Sequence, residues 1–208
     1  MSRAPSSPEP DLGSARPDAH RAPSEGWQNG GVSEPETQPT TDPVTAAEER
    51  LTAYVRSVDL EWELGGREGE YVVTLPGDKK LRTVVSLLVR PRTTNVSAFV
   101  VRNPDENHED FYRTLLRRNL RLAGIAYAID ADGDVYVRGE VPTSALDAEY
   151  LDQLFGVILA ASDEAFNELL ALGFLGSMKK EWAWRVSRGE STRNLEAFRH
   201  LLEEPADG

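Results

Sequence analysis

Apolar residues recur at helical spacing at Leu51, Tyr54, Val55 and Val58, which predicts an amphipathic helix. Asp42 stands where a carboxylate caps such a helix, and Pro43 suits its first position, where a missing N–H costs nothing. Thr45 and Glu48 offer a second start of capping-box type. The period then changes. Leu60 to Leu64, Tyr71 to Leu75, Leu81 to Arg90 and Val96 to Arg102 are short runs rich in β-branched and aromatic residues, separated by Gly65-Gly66 and Pro76-Gly77-Asp78. They predict an antiparallel meander. In Leu81 to Arg90 the alternation is only partial, so both faces of that strand are expected to be covered over part of its length, up to Pro91.

After Asn103-Pro104-Asp105 the helical period returns from about His108 to Leu122. On a wheel, Phe111, Tyr112, Leu115, Leu116, Leu120 and Leu122 fill one half and Arg113, Arg117, Arg118 and Arg121 the other. Gly124 is expected to end this helix. Ile125 to Asp130 and Val135 to Glu140 then flank Asp132-Gly133, a strong hairpin signal. Asp147 suits the cap of a long helix expected to end near Gly173. Its residues Leu151, Leu154, Phe155, Ile158, Phe166, Leu169 and Leu170 cover more than one stripe, so it should be deeply buried. Met178 to Val186 carries Trp182 and Trp184, and Ser191 is expected to cap a last helix through Leu202. Together these elements define an α+β fold, an antiparallel sheet packed by helices.

Composition sets the domain limits. Residues 1–43 hold 8 of the 13 prolines and few sizeable apolar side chains, so this segment is expected to be disordered. Residues 44–203 are read as one α+β domain and 204–208 as a frayed end. A length of 208 residues with 39% hydrophobic content suffices for one core. The net charge of -12 repels phosphate backbones and anionic lipid, which speaks against nucleic acid and membrane surfaces as partners. With no cysteine there is no disulfide, thiolate nucleophile or thiolate metal site. No run approaches the roughly 18 apolar residues of a spanning helix, and the N-terminal segment lacks a secretory signal, so a cytoplasmic location is expected.

The motifs that could carry chemistry fail on their spacing. Asp130-Ala131-Asp132-Gly133-Asp134 begins like a calcium loop, but such a loop needs glycine at its sixth position, where this chain has Val135. Ser177-Met178-Lys179-Lys180 matches Ser-x-x-Lys without the accompanying Lys-Thr-Gly element. His20, His108 and His200 share no local segment, so no metal site is expected. No cofactor and no catalytic residue is assigned. Two surfaces remain. The Arg113, Arg117, Arg118, Arg121 face could dock acidic groups or simply be a solvated face paired with neighbouring carboxylates. The stretch containing Lys179, Lys180, Trp182, Trp184, Arg185 and Arg188 joins residue types that dominate interfaces, with Ser191 expected to start a helix beside them. Alternatively both tryptophans pin the C-terminal helices to the core. On the first reading this stretch could instead serve a small-ligand sensor, holding for instance a phosphorylated metabolite, or a cryptic enzyme.

Three stretches carry a resemblance: Phe111 to Val141, then Leu151-Asp152-Gln153-Leu154 with Ala161-Ser162-Asp163-Glu164-Ala165-Phe166-Asn167, then Glu181-Trp182-Ala183-Trp184-Arg185-Val186-Ser187-Arg188-Gly189-Glu190-Ser191. Over about Val44 to Leu202 the chain resembles actinobacterial members of the YbjN domain family. The resemblance implies a sensory-transduction regulator with an α-β-β-β-α-β-β-α order similar to type III secretion chaperones, which are small acidic dimers that bind other proteins. Here one extra strand near Leu60 and a C-terminal helical extension from Lys179 are added. The family implies no catalytic motif. The expectation is a non-enzymatic protein-binding module, chaperone-like or regulatory, with a protein partner and a homodimeric state.

Overall fold

Asp42 accepts the Thr45 amide N–H at 3.4 Å and Pro43 opens helix α1 (Pro43–Ser57) in the computed structural model, which describes residues 42–203. The expected disordered segment, up to residue 41, and the expected frayed residues 204–208 lie outside the described residues. Leu51, Tyr54 and Val55 are buried on one face of α1, whereas Val58, just past its end, is exposed.

Four strands follow: β1 (Glu61–Leu64), β2 (Glu70–Pro76), β3 (Arg82–Val89) and β4 (Thr93–Val101). Helix α2 (His108–Asn119) then leads to β5 (Ala126–Ile129) and β6 (Val135–Pro142). The six strands form one antiparallel sheet in the order β1-β2-β3-β4-β6-β5, so β6 enters beside β4 and leaves β5 at an edge. Burial alternates along β2, β3 and most of β4, until a bulge at its end leaves Val100 and Val101 both buried. Tyr71, Val73 and Leu75, then Val85, Leu87 and Val89, then Val96, Ala98 and Val100, then Val135 and Val137 are buried on one face. Each fully buried valine or leucine contributes about 1.5 to 3 kcal/mol before entropy is charged. The opposite face carries cross-strand rows such as Val72, Ser86, Ser97 and Arg138, which are half-buried or exposed among the described residues. The expectation that β3 is covered on both faces is therefore corrected, because Val84 on the outer face is 44% exposed. Leu81, expected in that strand, sits instead in the preceding turn at φ 60.

Helix α2 stops at Asn119, short of the expected Leu122. The Asn119 side chain turns onto β5, where its Oδ1 accepts the Tyr127 N–H at 2.7 Å and its Nδ2 reaches the Tyr127 carbonyl at 3.4 Å. Gly124 adopts φ 73 just ahead of β5 rather than at the helix end. In the β5–β6 connection, Asp130 Oδ1 accepts the N–H groups of Asp132 and Asp134 at 3.0 and 2.9 Å. That carboxylate oxygen closes a turn.

The long helix expected from Asp147 to Gly173 is two helices. Asp147 caps α3 (Ala148–Leu159) through the Tyr150 N–H, a π-helical turn spans Ala160–Glu164, and α4 (Phe166–Arg188) continues well past Gly173. Gly173 does not terminate the helix because its role is close packing: a Cβ there would lie 2.8 Å from Pro104 and 2.9 Å from Phe111. The stop is Gly189, left-handed at φ 68. The π turn sets Ser162 and Asp163 inward together. Ser162 Oγ donates to the Ile158 carbonyl at 2.6 Å and meets Thr83 Oγ1 at 3.0 Å, while Asp163 accepts three backbone N–H groups from the β2–β3 hairpin. The expected last helix from Ser191 is a 3-10 segment, Arg193–Phe198, running into the single turn α5 (Arg199–Leu202). Met178, Leu195, Phe198 and Leu202 form a small second cluster beside the main core.

Candidate functional site

Because Lys179 to Arg188 is one helix, the six C-terminal candidates are divided between its faces. Lys180, Trp184 and Arg188 recur every four residues and form an exposed stripe, with the Arg188 guanidinium 5.0 Å from the Trp184 ring and Trp184 48% exposed. Trp182 packs on the second cluster. Arg185 pairs with Glu181 at 2.7 Å and donates to the Ser191 carbonyl at 3.0 Å, while Lys179 is half-buried. The expected helix N-terminus beside these residues is replaced by the C-terminal end of α4. Trp182 pins the extension to the second cluster, whereas Trp184, expected on one reading to do the same, faces solvent.

The four arginines of α2 and the turn after it also separate. Arg113 pairs within its helix with Glu109 and with Asp110, at 2.7 Å to the latter. Arg118 reaches Glu168 on α4. Arg117 and Arg121 join Arg118 around a cavity of about 520 Å³ between α2, β5 and the α3–α4 corner, with Tyr127, Val157 and Ala161 among its walls. The Tyr127 hydroxyl donates to the Ala161 carbonyl at 2.6 Å, and burial raises its pKa to about 12. It stays protonated across the accessible range and serves as a fixed wall.

A third surface was hidden in the wheel. Leu116 and Leu120, placed with the buried half on periodicity, are 68% and 87% exposed. With Tyr112 and with Ile129 at the end of β5, 54% exposed, Leu116 borders an apolar groove of about 290 Å³. Six apolar positions make a stripe wider than one sheet edge can cover, and this was the only trace in the sequence. Tyr112 bonds Asn103 at 3.2 Å, and Asn103 bonds the Asp132 carbonyl at 2.9 Å. The start of α2 therefore lies beside the β5–β6 turn. Asp130 and Asp132 of that turn stand at this end of the strip, Glu109 and Asp110 are paired with Arg113, and Arg117 and Arg121 line the cavity rather than the groove. Among the described residues, no group of three or more His, Asp and Glu side chains is placed to hold a metal ion, and no helix is long and apolar enough to cross a membrane.

These features define a class: an α+β module with an antiparallel sheet buried on one face and an exposed apolar strip at the α2–β5 edge. The family described as "Putative bacterial sensory transduction regulator", YbjN, matches residues 48–171, and the chain belongs to it. The match contains α2, the π turn and every residue of the arginine-lined cavity, and it ends inside α4 before the C-terminal stripe. Uncharacterized proteins of Mycobacterium bovis and Mycobacterium leprae are 50% and 47% identical to it over 137 residues, spanning 66% of this chain and 75% and 74% of theirs. Among solved structures, the ExsC–ExsE complex is similar at TM-score 0.48 and 19% identity, covering 62% of this chain and 97% of the matched one. The HopA1–SchA chaperone–effector complex is similar at TM-score 0.46 and 14% identity, covering 62% and 99%.

Proposed function

We propose that this protein is a non-enzymatic, cytoplasmic protein-binding module of regulatory or chaperone-like type, and that it works as a homodimer joined through the α2–β5 strip. The observation that carries the reading is the exposure of Leu116, Leu120 and Ile129 side by side at an edge of the sheet. Apolar side chains grouped in this way on a chain of net charge -12 favour a partner surface over bulk water. A second copy is the occupant that fits. A two-fold axis across the strip sets the same apolar side chains of two copies against each other, so that apolar meets apolar. Asn119 already occupies the Tyr127 N–H and carbonyl, so the contact is side-chain packing rather than an extended sheet. Within the C-terminal extension, the stripe of Lys180, Trp184 and Arg188 is the part we assign to contact with a further protein partner.

Light scattering coupled to size exclusion tests the dimer directly. The wild-type chain is expected at twice its 23.0 kDa mass, and the Leu116→Lys, Leu120→Lys double variant at one mass with unchanged circular dichroism. A wild-type monomer at micromolar concentration sinks the proposal.

A further inference from the structure

We propose that the cavity between α2 and the α3–α4 corner binds a small phosphorylated metabolite, one whose body carries hydroxyl groups, such as a sugar phosphate. Its volume of about 520 Å³ lies within the range of small-molecule sites. Three arginines line this one concavity in a chain of net charge -12. Arg118 is taken by Glu168. Arg117 and Arg121 have no carboxylate within 4.0 Å among the described residues, so two like charges four positions apart line the opening without a direct ion-pair partner. The planar forks of two arginines match the oxygens of a phosphomonoester, which a single carboxylate would engage less fully.

The rest of the lining narrows the class. Leu122, Val157 and Ala160 give an apolar wall for the body of a ligand, so a bare anion leaves most of the cavity unused. Glu164 and Glu168 stand on the wall formed by the corner. They accept hydrogen bonds from hydroxyl donors and repel further carboxylates, which disfavours an acidic peptide and favours a phosphate at one end with sugar hydroxyls at the other. The Tyr127 hydroxyl is committed to the Ala161 carbonyl and shapes the floor without reading the ligand. This site is separate from the dimer strip, since Leu116 and Leu120 take no part in its lining.

Isothermal titration of the full chain with glucose 6-phosphate, AMP, glucose, inorganic phosphate and hexaglutamate tests the assignment. Glucose 6-phosphate or AMP is expected to bind saturably and more tightly than inorganic phosphate, with glucose silent. The Arg117→Ala, Arg121→Ala variant removes two exposed side chains, so its fold is retained, and it should bind about tenfold to a hundredfold more weakly, as loss of charge-assisted hydrogen bonds implies. The Lys180→Ala, Arg188→Ala variant should bind like the wild type. The proposal is overturned if neither organic phosphate binds at millimolar concentration, or if the Arg117→Ala, Arg121→Ala variant binds as well as the parent. Inorganic phosphate or hexaglutamate binding as tightly as glucose 6-phosphate would overturn it too.

Discussion

The Asp163 carboxylate accepts the backbone N–H groups of Asp78 at 3.1 Å, Lys79 at 2.9 Å and Lys80 at 2.7 Å, and so holds the β2–β3 hairpin against the α3–α4 corner. Gly77 has no side chain because a Cβ there would lie 2.3 Å from Asp163 Oδ1. Asp163→Ala and Gly77→Ala are each expected to cost roughly 2 to 4 kcal/mol in urea denaturation, one by orphaning the donors and one by displacing the acceptor. A loss within error for both would remove this role. Burial works to raise the Asp163 pKa, and the three N–H donors outweigh it, so the carboxyl titrates below its ordinary range. Its contribution is thus present above the unfolded carboxyl value of about 3.9 and lost as pH falls through the lower folded one. Lys80 runs the other way. Its ammonium donates to the Phe99 carbonyl and lies 5.1 Å from the Phe99 ring, and burial lowers its pKa to about 8. Between about 8 and the unfolded value of 10.5 the unfolded chain binds more protons, so stability rises with pH across that window. Lys80→Met should abolish this rise in thermal melts recorded from pH 7 to 10.5, and a rise that persists in the variant refutes the assignment. Gly77 and Asp163 stand 86 positions apart in sequence, and no local pattern pairs them. Asp163 was read only as part of a family stretch.

Among the elements, α1, the strands, the α2 start and the β5–β6 turn follow from periodicity and turn chemistry because each depends on neighbours within a few residues. The α3–α4 region does not. Periodicity showed more than one apolar stripe in a single helix, but the reason is a π turn that lets two helices share the buried face, and its driving contacts are to β3 and the β2–β3 hairpin. Gly173 read as a stop and is a packing position, which only the approach of Pro104 and Phe111 reveals. The same continuation decides the C-terminal candidates, since a helix separates Trp182 from Trp184 by about 200°. Trp182→Ala should speed hydrogen exchange across 193–202 by uncovering Leu195 and Phe198, while Trp184→Ala leaves exchange there unchanged. Equal effects of the two would contradict the division of faces.

At the scale of the whole molecule, the sheet is buried on one face and Asn119 occupies the N–H and carbonyl of Tyr127 on its β5 edge, which favours side-chain contacts there. If the α2–β5 strip joins two copies through apolar side chains, salt has little charge to screen in the contact. The dimer dissociation constant, measured by sedimentation, should then change little with ionic strength. A steep rise with salt would contradict the apolar contact, and the Leu116→Lys, Leu120→Lys variant tests it independently. The arginines were singled out in the sequence as one face, but only the fold divides them into a helix-internal pair, a bridge to α4 and two that face a cavity.

The α+β class, the start of the first helix at Asp42, the extra strand near Leu60 and membership of the YbjN family are legible in the residues alone. These rest on hydrophobic period, caps, turns and long runs of matching residues, all of which are local or linear signals. The tertiary structure decided which apolar side chains of α2 stay in water, which arginines share a cavity and where the last long helix ends. Each of those depends on what lies opposite a residue in space, and a wheel or a period carries no information about that.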